Sequence, residues 1–106
     1  MANPVKATAL SDAKVTERLS SLSGWQRSEN GGTISKQFKF ESYLAGLVFV
    51  SAVGLVCEAR NHHPDMIVGW RKVTISFTTH DAGSQLTASD FDAAEAIEAL
   101  GYPKAG

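Results

Sequence analysis

All three histidines of the chain, His62, His63 and His80, fall within one 19-residue window. Two of them close the run Glu58-Ala59-Arg60-Asn61-His62-His63-Pro64, and Trp70 lies between that run and the third. Imidazole has an ordinary pKa of about 6.5, so it gives and takes protons near neutral pH. Three imidazoles beside a carboxylate therefore suit proton transfer. Glu58 and His62 are four residues apart, so a helix running to residue 61 would stack the two on one face. His62 and His63 are adjacent at a helix end, before a proline that favours extended backbone. Their rings should point in different directions and do different work. His80 belongs to a later strand, and only the fold can bring it in.

Each of these residues also has an ordinary explanation. Glu58 near a helix C-terminus is a solvated carboxylate, and a helix-end histidine can cap carbonyls and favour the negative end of the dipole. His80 could be plain surface, Asp90 a cap in the first turn of a helix, and Trp25 and Trp70 core. Taken together at this spacing, a site is the stronger reading. Three histidines and a glutamate could also form a zinc set. Adjacent rings at 62 and 63 have difficulty facing one ion, however, and the chain contains neither HExxH nor a cysteine pair. No metal and no cofactor are therefore expected. Nucleophilic catalysis is weaker still: Cys57, the single cysteine, lies among apolar residues, and no serine sits in a nucleophile elbow.

The elements that must hold the histidines can be read from periodicity. Ser11 caps a first helix, with Leu10 placed to staple onto Val15 and with Val15, Leu19 and Leu22 repeating at helical spacing up to Ser23-Gly24. Trp25 to Glu29 and Thr33 to Phe40 flank Asn30-Gly31-Gly32 as a hairpin in which Ile34, Phe38 and Phe40 share a face that Lys36 interrupts. Glu41 to about Asn61 is helical but apolar nearly all round, so it should be buried on more than one side. In so small a domain, that points to a partner subunit on one side, with Gly46 and Gly54 permitting close approach; the alternative is a fully enclosed central helix. Pro64 ends this helix. A second strand pair follows, from Met66 to Gly69 and from Lys72 to His80. In the latter, Val73, Ile75, Phe77 and Thr79 point one way while Thr74, Ser76, Thr78 and His80 point the other. After a loop at 81–85, Thr87 to Asp90 caps a last helix with Phe91, Ala94, Ile97 and Leu100 inward and Gly101 at its end. The two hairpin-then-helix units, Trp25 to Asn61 and Met66 to Leu100, form a pseudo-repeat.

Composition narrows the function classes. A chain of 106 residues is one domain, able to bury about two-thirds of its unfolded surface. The reading is a single domain over 1–106 with residues 1–9 as a flexible tail. Ten basic against eleven acidic residues give a net charge of −1 and no basic run of the kind that grips phosphates, so a nucleic-acid ligand is not expected. The longest uncharged stretch, Ser42 to Cys57, is 16 residues, short of the roughly 20 that span a bilayer. Residues 1–10 hold no secretory apolar core, and a lone buried cysteine fits a reducing compartment. A cytoplasmic protein without a membrane role is expected.

Order and spacing resemble the signature of the pterin-4a-carbinolamine dehydratases: an acid, then His-His-Pro, an aromatic, a later Thr-His and finally an Asp. Glu58, His62-His63-Pro64, Trp70, Thr79-His80 and Asp90 match it in turn, and the likeness extends through Gly24-Trp25, Phe38-Lys39-Phe40 and the Ala-rich last helix. There are departures: Met66 stands where many members carry tryptophan, Ser84-Gln85 lengthen the loop before Asp90, and Ser89 replaces an arginine. The resemblance implies an α+β fold in two layers. A four-stranded antiparallel sheet would carry helices on one face, in the order β-β-α-β-β-α after an N-terminal helix. It further implies dehydration of 4a-hydroxytetrahydropterin to quinonoid dihydropterin and water, recycling the cofactor of aromatic amino-acid hydroxylases. His62, His63, His80 and Glu58 would be catalytic, with His63 and His80 as acid and base in either order, and with His62 binding or polarising the pterin. Asn61, Pro64, Thr79, Asp81, Trp25 and Trp70 would contact the substrate, Trp25 closing the pocket. The partners implied are a pterin, further copies of the chain in a homodimer or homotetramer, and a hydroxylase or other protein. The alternative is a non-catalytic dimerisation or assembly factor acting through the long apolar helix.

Overall fold

Side-chain caps set the first two helices. In the computed structural model, which describes residues 8–102, Ser11 accepts from the Lys14 backbone N–H at 3.2 Å and starts α1 (Asp12–Leu19). Ser42 accepts from Ala45 at 3.0 Å and starts α2 (Tyr43–Arg60). Between them lie β1 (Gln26–Arg27) and β2 (Ile34–Lys39); β3 (Asp65–Val68), β4 (Lys72–Phe77), a single 3₁₀ turn (His80–Ala82) and α3 (Ala88–Glu98) follow α2. Of the tail expected at 1–9, residues 1–7 lie outside the described residues.

The four strands form one antiparallel sheet in the order β1-β2-β4-β3. The architecture is the α+β sheet-and-helix arrangement expected from the sequence. The two hairpins contribute β2 and β4 to the centre and β1 and β3 to the edges, the layout expected of a repeated hairpin-helix unit. Ile34 pairs with Phe77 and Phe38 with Val73 across the central register, and these residues with Ile75 are all buried. They pack with Phe49, Val53 and Cys57 of α2 and with Phe91, Ala94 and Ile97 of α3 in one core. The Phe49 ring lies 4.7 Å from Phe38 and 5.1 Å from Phe40. Burying such aromatic side chains stabilises by about 1.5–3 kcal/mol each. Lys36, which breaks the apolar stripe of β2, lies over the Phe38 ring at 4.7 Å and reaches Glu98 at 2.9 Å. The charged head is thus paired while the stem covers the core.

The long apolar helix is buried along Gly46, Phe49, Val53 and Cys57 only, leaving Leu44, Val48 and Leu55 exposed on its far side. Within the single chain, only one of its two glycines is closely approached. A Cβ on Gly46 would sit 3.4 Å from Val73, whereas nothing lies within 4 Å of Gly54. By length and composition α2 could also cross a membrane, yet its inner face is packed against the sheet.

Candidate active site

The geometry of the histidine region begins with how α2 stops. Asn61 adopts the left-handed conformation, with φ 53° and ψ 40°. Its N–H bonds to Glu58 O at 3.1 Å, and the next N–H, that of His62, bonds to Cys57 O at 3.1 Å. This pair of bonds is the Schellman closure, in which a left-handed residue satisfies the last carbonyls of a helix. Asparagine tolerates that region better than other non-glycine residues. The reversal takes His62 out of helical phase, so the Glu58–His62 stacking expected from the four-residue spacing does not form. Glu58 Oε1 instead meets His63 Nε2 at 2.7 Å, in an exposed pair of the kind that contributes little to stability. We expect Asn61→Val to cost about 1–2 kcal/mol through left-handed strain and Asn61→Gly to cost nothing, as read by urea unfolding of the two variants.

His62 turns inward. Its ring stacks on Phe77 at 5.7 Å with a 14° tilt, and its Nε2 lies 2.6 Å from Oδ1 of Asp90, a fully buried carboxylate. The other oxygen of Asp90 accepts the Thr79 hydroxyl at 2.7 Å and the Thr87 backbone N–H at 2.9 Å. Thr87 is the N-cap residue of α3, so Asp90 caps that helix and grips His62 with the same carboxylate. Sequence reasoning reads Asp90 as a cap and as the last position of the signature, and it misses the contact with His62. The signal available was the Thr87-x-x-Asp90 box in a chain whose His62 required a partner for its ring.

His80 is placed by the turn after β4. Thr79 pairs with Gln85 as an isolated bridge, and Ser84 N–H returns to Thr79 O at 3.1 Å with Ser84 itself left-handed at φ 59°. The loop thus closes on its own base and presents His80 and Asp81 outward. Gly32 buttresses it from the first hairpin, where a Cβ would come within 2.4 Å of Ser84 O, and its carbonyl accepts the Thr78 hydroxyl. The alternation expected to run to residue 80 therefore ends at Thr79, and His80 opens a 3₁₀ turn.

These two segments meet at an open pocket of about 190 Å³ lined by Asn61, His62, His63, Thr78, Thr79, His80 and Asp81. Glu58 reaches it through His63, and Pro64 follows directly before β3. The tryptophans stand elsewhere. Trp25 is 5% exposed, donates its Nε1 to Glu98 at 2.9 Å and stacks on Phe77 at 6.0 Å. It therefore supports, from within the core, the ring on which His62 lies, and it does not close the pocket. Trp70 occupies the β3–β4 turn, 75% exposed, with Lys39, Phe40, Arg71 and Lys72 around a separate apolar hollow. The strand order places it at the opposite end of that hairpin from His80. Burial pushes the Cys57 thiol up, with Arg60 offsetting part of the effect, and a protonated thiol is a poor nucleophile. Among the described residues, no three of His, Cys, Asp and Glu form a group that could hold a metal ion.

Fold and pocket together define a small α+β protein with an imidazole-lined cleft at the seam of two hairpin-helix units. The family model described as pterin 4 alpha carbinolamine dehydratase matches residues 8–100. The chain is 49% identical over 94 residues to a pterin-4-alpha-carbinolamine dehydratase homologue of Roseiflexus sp. (strain RS-1), covering 89% of this chain and 98% of that protein. A homologue from Natronomonas pharaonis is 47% identical over 76 residues, covering 72% and 79%. A solved structure, the transcriptional coactivator/pterin dehydratase from Brucella melitensis, superposes with a TM-score of 0.82 at 26% identity, covering 88% of this chain and 98% of that one. A pterin dehydratase-like RuBisCO assembly factor of the alpha-carboxysome shares the fold, with a TM-score of 0.63 at 22% identity over 74% of this chain and 90% of that one. This chain belongs to the pterin-4a-carbinolamine dehydratase family.

Proposed function

We propose that the protein dehydrates 4a-hydroxytetrahydropterin to quinonoid dihydropterin and water, in the cytoplasm, and so restores the tetrahydropterin cofactor cycle of an aromatic amino-acid hydroxylase. The observation that carries this reading is the meeting of His62, His63 and His80 at one pocket, from two segments that the chain separates by the whole of β3 and β4. Loss of water from a carbinolamine moves no electrons to a cofactor. One group takes the proton from the ring nitrogen, another protonates the departing hydroxyl, and a C=N bond forms. Such general acid and base help contributes typically about 10²- to 10⁴-fold. His63 and His80 are the acid and base, and both are exposed enough to exchange protons with water. His62 holds the pterin, while Asn61, Pro64, Thr79 and Asp81 line the ring and Glu58 orients His63. The test follows decay of freshly generated 4a-hydroxytetrahydropterin with and without purified protein. Acceleration above the spontaneous rate is expected, and its absence would overturn the reading.

A second reading, a dimerisation or assembly factor, draws on the exposed Leu44, Val48 and Leu55 stripe of α2 and on two structural neighbours, one a transcriptional coactivator/pterin dehydratase and one a RuBisCO assembly factor. The same stripe supports a homodimer or homotetramer, because contiguous exposed apolar surface marks interaction sites. Light scattering should return a dimer or tetramer, and a monomer would remove that support.

A further inference from the structure

We propose that Thr79 and Thr87 are positioning residues that act through Asp90 to fix His62 with its proton on Nε2, so that the ring offers the pocket an acceptor, Nδ1. The inference rests on the dehydratase reading for its functional consequence, but the tautomer itself follows from counting donors. The Thr79 hydroxyl has one proton, and it is donated to Asp90 Oδ2 at 2.7 Å. The 2.7 Å contact between the Thr79 and Thr87 hydroxyls must then be donated by Thr87. The chain runs one way, from Thr87 to Thr79 to Asp90. With the Thr87 N–H, Oδ2 holds two donors, leaving Oδ1 to take a third from His62 Nε2 at 2.6 Å.

Burial makes this order persistent. Thr79, Thr87 and Asp90 are 6%, 3% and 0% exposed, so water cannot readily reverse the chain, and no buried side-chain N or O among the described residues lacks a partner. Stacking on Phe77 fixes the ring plane. In the neutral ring one nitrogen donates and the other accepts. His62 lines the pocket with Nε2 committed to Asp90, so Nδ1 is left to accept a hydrogen bond from a substrate N–H and hold the pterin, while the two proton transfers stay with His63 and His80.

The test reads the His62 ring nitrogens by long-range ¹H–¹⁵N NMR in the wild type, Asp90→Asn, Thr79→Val and Thr79→Ser, with dehydration kinetics run in parallel. The wild type should be Nε2–H. In Asp90→Asn the two donors at the Oδ2 position hold the amide oxygen, so its NH₂ faces His62 and the tautomer inverts, with kcat falling about 10²-fold or more. Thr79→Val should keep the Nε2–H ring, because the carboxylate still only accepts, but should loosen its hold on His62 and lower kcat, and Thr79→Ser should restore the rate; an unchanged kcat in Thr79→Val would overturn the positioning role even if Asp90→Asn does not fold. A wild-type Nδ1–H ring, or no inversion in Asp90→Asn, overturns the donor chain whatever the activity. Inversion with kcat unchanged overturns the link to dehydration. A wild type with the expected tautomer but no dehydration activity counts against the dehydratase reading alone.

Discussion

Asp90→Ala should destabilise the domain by about 3–5 kcal/mol, because removing one partner of a buried, hydrogen-bonded pair leaves the others unsatisfied. His62 Nε2, the Thr79 hydroxyl and the Thr87 N–H all lose their acceptor at once, and α3 loses its capping carboxylate. Domains of this size are held by about 5–15 kcal/mol in total, so the loss is a large share. The thermal midpoint should fall by on the order of 15–30 °C. Calorimetry checks this. A fall of less than about 4 °C, near 1 kcal/mol or below, would mean that the carboxylate contributes no more than an ordinary surface cap.

In His80→Ala and His63→Ala the effect should be reversed, with the fold intact and the chemistry lost. Both side chains are exposed, and neither belongs to the core cluster, so the unfolding midpoint should match the wild type. If each supplies one of the two proton transfers, dehydration should slow by about 10²- to 10⁴-fold per substitution, equivalent to about 2.7–5.4 kcal/mol in the barrier. The double variant should be little slower than either single one, since groups acting as a unit are non-additive. Single variants that dehydrate at the wild-type rate would move the acid and base elsewhere in the pocket.

Much of this molecule is legible in its sequence where one period governs. The alternation of Val73, Ile75 and Phe77 set the face of β4, and Ser11 and Thr87 stand at the observed helix starts, whereas the long helix read from Glu41 begins at Tyr43 after the Ser42 cap. Legibility fails where a single backbone angle decides. Nothing in the spacing of Glu58 and His62 announces that Asn61 turns left-handed, and that one residue exchanges the partner of Glu58 from His62 to His63. Long-range partners were equally hidden. Trp25 and Glu98 are 73 positions apart, and His62 and Asp90 are 28. A pattern of types can name such residues without pairing them. Trp70 matched the aromatic of the signature in order, but order along a hairpin does not say which end of it a side chain occupies.

The two hairpin-helix units divide the site unevenly: the first ends at Asn61 and hands over to His62 and His63, whereas Thr79, His80, Thr87 and Asp90 all belong to the second. The ring of His62 therefore acquires its acceptor only once the two units have docked. A half-assembled chain would carry every histidine and still leave His62 without its acceptor. Orientation of His62 thus depends on the same docking that forms the core joining the halves. A substitution that merely loosens that seam, far from any imidazole, would silence the site before it unfolded the protein.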